Sequence, residues 1–478
     1  MLRFLQIAND LLFVYYLLSN VIYLGLLGIA IFKNVVHSHR LASQRLELLK
    51  ASPFTPPITL VVPAHNEELS IVDSVQALLK LDYPSLEVVV VNDGSRDLTL
   101  QKLSDAYQLQ LARLLYIPDI ATAPLRAIYR SPVEPRLLVL DKEAAGSKAD
   151  AINAGLNAAT SPYVCVVDAD SILEKESLLR IVEGVFSDPS QVVAVGGIVR
   201  VLNGSRVVRG ELQEVRLPKS AMEVMQVIEY LRAFMVGREA WASFNMLPII
   251  SGAFGVFQRE LVKQIGGFRT HAVGEDLDLV VRLHRHLQEK HRPYHINFIA
   301  DPTCWTEVPT DFKSLARQRA RWQKGLIDTL WPNRDMLFRP RYGRVGWAVL
   351  PYMWIFEFFA PVIELGGYFT IGAALMMGVL SKAFFLQFLL FGYAFATLIS
   401  IGSVLLEEMT YRRYNRWRDV ARLVIYCLFE HFPYRQLTMI WRLQGIWQYL
   451  RGDLRWREAK RVGISANSFL SPRNASGR

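Results

Sequence analysis

The sequence predicts an α/β fold, a doubly wound, mostly parallel sheet in a domain flanked by transmembrane and interfacial α-helices. Three observations carry this expectation. Short apolar runs alternate with amphipathic helical stretches through the middle of the chain. Each run ends in polar, turn-forming residues, as strands do where an open sheet meets its ligand. Long uncharged segments with basic borders stand near both ends, too long for strands and long enough for a bilayer.

Composition fits a membrane-associated chain. The 478 residues are 51% hydrophobic with a net charge of +10, and the mean hydropathy of +0.19 is high for a fully soluble protein. The length suits two or three domains. Cys165, Cys304 and Cys427 lie far apart with no metal-binding spacing, so no disulfide framework is expected and a reducing compartment fits. An excess of positive charge suits nucleic acid, anionic lipid or phosphorylated substrates. Here much of it borders the apolar segments, which argues against a nucleic-acid partner.

The first element is the uncharged run Leu11 to Phe32, 22 residues long. It is too long for a signal-peptide core and lacks a small-residue cleavage site, so it reads as an anchor. Lys33, Arg40, Arg45 and Lys50 follow it and place that side in the cytoplasm. Residues 1–50 are therefore a transmembrane anchor with a basic linker, 51–333 a cytosolic domain, and 334–478 interfacial and transmembrane helices with a basic tail.

Within 51–333, ITLVVPAHNEE is a strand and a turn, with Asn66 as N-cap of a helix whose Ile71, Val75, Leu78 and Leu79 share one face. LEVVVVNDGS, RLLVLDKE and YVCVVDAD are three more buried strands, and Gly146-Ser147 opens the helix of KADAINAGLNAA. Residues 112–135, with Pro118, Pro124, Pro132 and Pro135, read as an inserted excursion. Beyond the domain, Arg334, Arg339, Arg341 and Arg344 precede an apolar block that reads as an interfacial helix and then a span from about Pro361 to Leu380. A second span runs from Lys382 to Leu406, followed by Arg412, Arg413, Arg416 and Arg418. Val420 to Trp441 is broken by Glu430, His431, Pro433 and Arg435 and reads as a membrane-lying or re-entrant element before the basic WREAKRVG. The expected location is the cytoplasmic membrane, with 51–333 facing the cytosol.

Polar residues gather at the strand ends. Asp93, Lys148, Asp168 and Asp170 stand at or just beyond the carboxyl ends of strands, which converge on one crevice in this topology. A nucleotide there would find carboxylates for its base or ribose and a lysine for its phosphates. Asp168 and Asp170 alternate along an extended chain and share a face. Two like charges so placed require a cation, and Mg²⁺ or Mn²⁺ bridging a diphosphate would supply it. Gly274-Glu275-Asp276 opens a helix, where acidic residues also suit the macrodipole. Gln318, Arg321 and Trp322 lie in LARQRARWQKGL, which equally describes a basic amphipathic helix on anionic lipid. SGAFG (Ser251 to Gly255) either lets backbone approach a ligand closely, since Gly252 and Gly255 have no side chains, or is a plain turn into a strand.

In this order and spacing, VVPAHNEE, VVNDGS, GSKADAIN, DAD, SGAFG, GED and QRARW resemble the membrane-embedded family-2 glycosyltransferases, among them the cellulose, hyaluronan, chitin and poly-N-acetylglucosamine synthases. The resemblance spans Pro57 to Gly325 and the flanking membrane pattern. It implies a GT-A domain and a nucleotide-sugar donor, most often UDP-linked. Asp93 resembles the uracil-contacting aspartate, and Lys148 the lysine near uridine and phosphates. Asp168 and Asp170 resemble the DxD, with Asp170 the direct metal ligand. Asp276 matches the catalytic base. Gln318, Arg321 and Trp322 match Q-x-x-R-W, with the arginine on the diphosphate and the tryptophan at the acceptor, near Ser251 and Gly252. Gly274 departs from the threonine of many polymer synthases, and the proline-rich insertion departs from the shortest members.

The function expected is inverting transfer of a sugar to a growing glycan at the membrane, with or without processive secretion of the polymer. Its alternatives are addition of a single sugar to a lipid carrier, and an inactive membrane scaffold on a transferase fold. The partners expected are a nucleotide-sugar, a glycan or lipid-linked acceptor and the bilayer, with room for accessory membrane or export subunits. Trp305, Trp322 and Trp331 suit either a sugar path or a membrane-interface belt.

Overall fold

The computed structural model describes residues 2–38, 43–186, 188, 190–208, 210–378 and 381–453. Arg40 and WREAKRVG (456–463) lie outside them. The chain forms two compact units. One comprises residues 41–219 and 249–308; the other comprises 1–40, 220–248 and 309–455. Residues 220–248 and 309–333, which by sequence fall in the 51–333 domain, thus pack with the apolar terminal helices. Their helices carry buried apolar faces, such as Val224, Val227, Ile228 and Leu231.

The sheet unit is built on strands β1 (Ile58–Ala64), β2 (Leu86–Asp93), β3 (Gln110–Leu111), β4 (Leu125–Arg130), β5 (Leu137–Lys142), β6 (Tyr163–Val167), β7 (Ile172–Leu173), β8 (Val192–Val201), β9 (Arg206–Val208), β10 (Glu211–Glu214), β11 (Phe254–Gln258) and β12 (His295–Thr306). Ten of them form one sheet in the order β3-β4-β5-β2-β1-β6-β11-β8-β12-β7, and β9 pairs with β10 apart from it. β5, β2, β1 and β6 are mutually parallel, with Val88 opposite Leu137, and Ile58 opposite both Leu86 and Tyr163. β8 and β12 point the same way, while β4, β7 and β11 run against them. The sheet is therefore mixed and mostly parallel.

The central strands are continuous apolar runs because both faces are covered. Ile58, Leu60, Val61 and Val62 of β1 and Val88 to Val91 of β2 are fully buried. The helix Lys148–Ala158 lies so close to β1 that a Cβ on Gly155 would meet Val61 Cγ1 at 2.3 Å. The proline-rich excursion is part of the sheet: its β4 pairs antiparallel with β5 on one side and with the edge strand β3 on the other.

Asn66 does not cap the following helix, which starts at Ile71. It adopts a left-handed φ of 55°. There its side-chain oxygen accepts from Arg96 N at 2.9 Å and its backbone N donates to Ser95 Oγ at 3.0 Å. The HNEE turn is thereby tied to the DGSRD turn, a long-range demand that outweighs local capping.

In the helical unit, Leu2–Ser38 and Lys382–Thr410 contain stretches long and apolar enough to cross a membrane, Arg3–Asn34 and Phe385–Thr410. Val345–Phe358 and Ala360–Met376 pass the same test together but are bent by 48° at their junction. The bend falls where the interfacial helix was expected to give way to a span. Trp417–Phe429 and Arg435–Leu450 flank the break at Glu430–Tyr434 and are not among these candidates.

Candidate active site

The site in the sheet unit is assembled around Lys148. Its residue opens the helix Lys148–Ala158, a poor place for a cation because the helix dipole is positive there. Carboxylates make up the difference. Lys148 Nζ ion-pairs with Asp168 Oδ1, lies 3.9 Å from Glu275 Oε1, and donates to Gly252 O at 3.1 Å. Burial would lower the ammonium pKa, but the charges of Asp168, Glu275 and Asp276 outweigh it and hold Lys148 above the ordinary lysine value. The cation facing Asp168 in this structure is therefore a lysine.

Asp276 stands in the same cluster. Its Oδ2 accepts from Gly252 N at 3.3 Å and its Oδ1 from Leu277 N at 2.8 Å. The antiparallel course of β11 explains how SGAFG arrives here. Phe254 is opposite Val167, so the residues just before β11 lie beside the end of β6 and next to Asp168. Gly252 has room for a Cβ, 3.4 Å from Lys148 Nζ, whereas a Cβ on Gly255 would strike Ile250 Cγ2 at 2.3 Å. Gly255 is thus a packing requirement inside a buried strand, not a point of ligand approach.

Asp93 ends β2 opposite Lys142, the last residue of β5. Lys142 is fully buried and bridges two carboxylates, Asp93 Oδ1 at 2.5 Å and Asp150 Oδ2 at 2.6 Å. The neighbouring pair repeats the pattern, with Asn92 Nδ2 donating to Asp141 Oδ1 at 2.7 Å. His65 Nδ1 lies 2.7 Å from Asp93 O. Gly94 turns the chain with a φ of 59° so close to the next loop that a Cβ would lie 2.6 Å from Ala144 N.

Sequence reasoning missed Lys142. Its signal was a charged residue closing an otherwise apolar strand. It also missed Asn153, whose buried side-chain amide holds Phe268 by both backbone groups, N and O each at 2.8 Å. That clamp, with Asp278 between Arg282 and Arg269, fixes the segment entering the helix Glu275–Glu289, and with it Asp276.

Asp170 follows β6 two residues after Asp168. Among the described residues no three His, Cys, Asp or Glu side chains gather as a metal cage. Gln318, Arg321 and Trp322 lie in the helical unit on the helix Phe312–Leu330, which begins at an Asp311 cap accepting from Ser314 N at 2.9 Å. Gln318 Oε1 is buried without a hydrogen bond, and Arg321 has no carboxylate partner among the described residues. Trp322 is 43% exposed. Trp305 belongs to no sugar path: it is fully buried with Ile172, Leu202 and Val207, and its Nε1 donates to Glu174 Oε1 at 3.0 Å. Trp331 is exposed on the helical unit, 6.2 Å from the Trp354 ring.

Residues 125–325 match the profile of the family described as glycosyltransferase like family 2. Over that stretch the chain matches a family 2 glycosyltransferase domain. That domain is similar to the probable glycosyltransferase YdaM of Bacillus subtilis, 27% identical over 275 residues, 56% of this chain and 55% of that protein. It is similar also to the poly-beta-1,6-N-acetyl-D-glucosamine synthase of Staphylococcus epidermidis, 25% identical over 279 residues, 58% of this chain and 57% of that one. The match thus spans little more than half the length of these curated relatives. Among solved structures the chain is similar to the mannosyltransferase PcManGT from Pyrobaculum calidifontis in complex with GDP-Man and Mn²⁺, at 18% identity over 90% of this chain and 98% of that one, with a TM-score of 0.49.

Proposed function

We propose that the family 2 domain moves a sugar from a UDP-linked donor to a growing glycan at the cytoplasmic face of the membrane, with inversion at the anomeric carbon. The observation that carries this reading is the convergence on Lys148. Residues from GSKADAIN, DAD, SGAFG and GED, far apart in sequence, meet at one ammonium. The likeness to a poly-beta-1,6-N-acetyl-D-glucosamine synthase supports a glycan acceptor.

In this reading Asp93, held by Lys142, takes the base of the donor. Asp276 takes the proton of the acceptor hydroxyl as that oxygen bonds to the anomeric carbon and the bond to the diphosphate breaks. Lys148 takes charge on the leaving diphosphate, and the family pattern assigns Arg321 the same task. Gly252 N fixes Asp276 Oδ2 for its role. Asp168 and Asp170 are hard oxygen donors suited to Mg²⁺ or Mn²⁺, whose remaining ligands would be diphosphate and water, the usual arrangement for Mg²⁺ at phosphate sites. When bound, such an ion neutralises charge developing on the diphosphate.

The test is release of UDP by the purified full-length protein from a panel of UDP-sugars. Turnover is expected with at least one donor, and chelator or Asp170→Asn is expected to abolish it with the fold intact. Full activity in chelator would remove the metal from the reading. Failure of every UDP-, GDP- and TDP-sugar to bind would put the scaffold alternative first.

A further inference from the structure

One buried cation in the helical unit has no place in this reading. Arg319 is only 3% exposed, although it lies one turn before the half-exposed Trp322. Its Nη2 donates to Glu229 Oε2 at 2.7 Å, and the Tyr434 hydroxyl donates to the same oxygen at 3.0 Å. Glu229 comes from the helix Ala221–Leu231, and Tyr434 from the break before Arg435–Leu450. The Arg319 Nε and Nη1 groups are buried and donate to no oxygen among the described residues. The guanidinium carbon lies 4.2 Å from the Trp322 ring centroid. A cation held against an aromatic ring attracts it, and the attraction fixes the ring in turn.

The frame around this pair is tight. Gly445 of Arg435–Leu450 lies so close to the helix bearing Arg319 that a Cβ would meet Ala320 O at 2.5 Å. Gln323 Oε1 accepts from Arg442 Nε at 2.8 Å, and Gln323 Nε2 donates to Phe358 O at 3.2 Å. The helix therefore cannot roll, and Glu229 sets where the guanidinium plane lies.

We propose that Arg319 is a positioning residue: aimed by Glu229 and Tyr434, it holds the Trp322 ring as a flat platform for an acceptor sugar. This rests on the reading of Trp322 as the acceptor-site aromatic. Trp322 presents one side of its indole to Arg319, and its exposure leaves other surface for a pyranose. Lysine at 319 keeps the charge but loses the planar fork.

The experiment uses the full chain in nanodiscs, labelled with 5-fluorotryptophan. Of the 10 tryptophans, Trp322 is assigned by the ¹⁹F resonance that Trp322→Phe removes. In Arg319→Lys and in Glu229→Gln that resonance is expected to shift and narrow, because the released ring reorients freely. Glu229→Gln keeps the shape of the pair and carries the test should Arg319→Lys not fold. In parallel, with UDP-N-acetylglucosamine and a β-1,6-linked N-acetylglucosamine oligosaccharide as probes, the acceptor KM is expected to rise about two- to thirtyfold, the range of a cation–ring contact, with the donor KM unchanged. A Trp322 resonance that stays in place in both variants overturns the proposal whatever the kinetics. A resonance that moves while the acceptor KM of these variants and of Trp322→Ala stays constant leaves the positioning intact and removes the acceptor reading beneath it.

Discussion

At the scale of single residues, two lysines organise the sheet unit in different ways. Lys148 is partly exposed and shared among Asp168, Glu275 and the Gly252 carbonyl, an arrangement that an arriving ligand can rearrange. Because its pKa is raised above 10.5, its ion pairs are fully present below the ordinary lysine value and are lost only as pH climbs past the raised one. Lys142 is closed off and permanently paired with Asp93 and Asp150. Removing it leaves two buried carboxylates uncompensated, so Lys142→Met is expected to cost about 3–5 kcal/mol of stability, read as a lowered unfolding midpoint, and to weaken donor binding through Asp93. An unchanged midpoint would mean that water reaches the pair. Asp276→Asn tests the chemistry instead. It keeps size and hydrogen bonding but cannot take a proton, and should cut transfer roughly 10²- to 10⁴-fold while leaving nucleotide-sugar binding near normal. Near-native transfer in that variant would move the role of base elsewhere, with Glu275 first in line.

At the scale of elements, what was legible in the sequence was whatever local pattern alone decides. The runs at Ile58, Leu86, Leu137 and Tyr163 became parallel strands, because a continuous apolar stretch ending in turn residues has few other stable fates. Their polar ends could be named as a candidate site for the same reason. The features that stayed hidden depend on partners far along the chain. Asn66 looked like a cap but serves a turn 30 residues on. The proline-rich stretch looked like an inserted excursion, and its β4 pairs into the sheet between β5 and β3. Arg319 looked like one charge in a basic helix face and is buried by Glu229 and Tyr434. The start of that helix was encoded locally, in Asp311 before Phe312, and Asp311 illustrates how such an end depends on pH. Its hydrogen bonds from Ser314 hold the carboxyl below its ordinary value. The stabilisation is therefore present above the unfolded value of 3.8 and is lost as pH falls through the lower folded one. Asp311→Ala should cost about 1 kcal/mol near neutrality, and the gap between variant and parent should close in acid. A constant gap across pH would assign the cap to something other than the charge.

At the scale of the whole molecule, the candidate spans allow two or three crossings of a bilayer. Arg3–Asn34 and Phe385–Thr410 are each sufficient, and the bent pair Val345–Phe358 and Ala360–Met376 is the third candidate. Basic residues decide between two and three. Lys33 lies at the end of the first candidate and Lys50 follows it, Arg334 to Arg344 precede the bent pair, and Arg412 to Arg418 follow the last. If the bent pair crosses, all three basic groups share one side, as the positive-inside tendency favours. If it lies in the interface, Arg412 to Arg418 face the opposite side. Single cysteines at Ser52 and Asn415, probed with a membrane-impermeant thiol reagent, separate these arrangements. The native thiols add little background, because Cys165, Cys304 and Cys427 are all buried and burial pushes Cys165 up to about 12. Both introduced cysteines are expected to react only from the cytosolic side, which requires three crossings and an amino terminus facing away from the cytosol. Labelling of Asn415→Cys from outside, with Ser52→Cys still cytosolic, would make the bend at Phe359 a re-entrant element and leave two crossings.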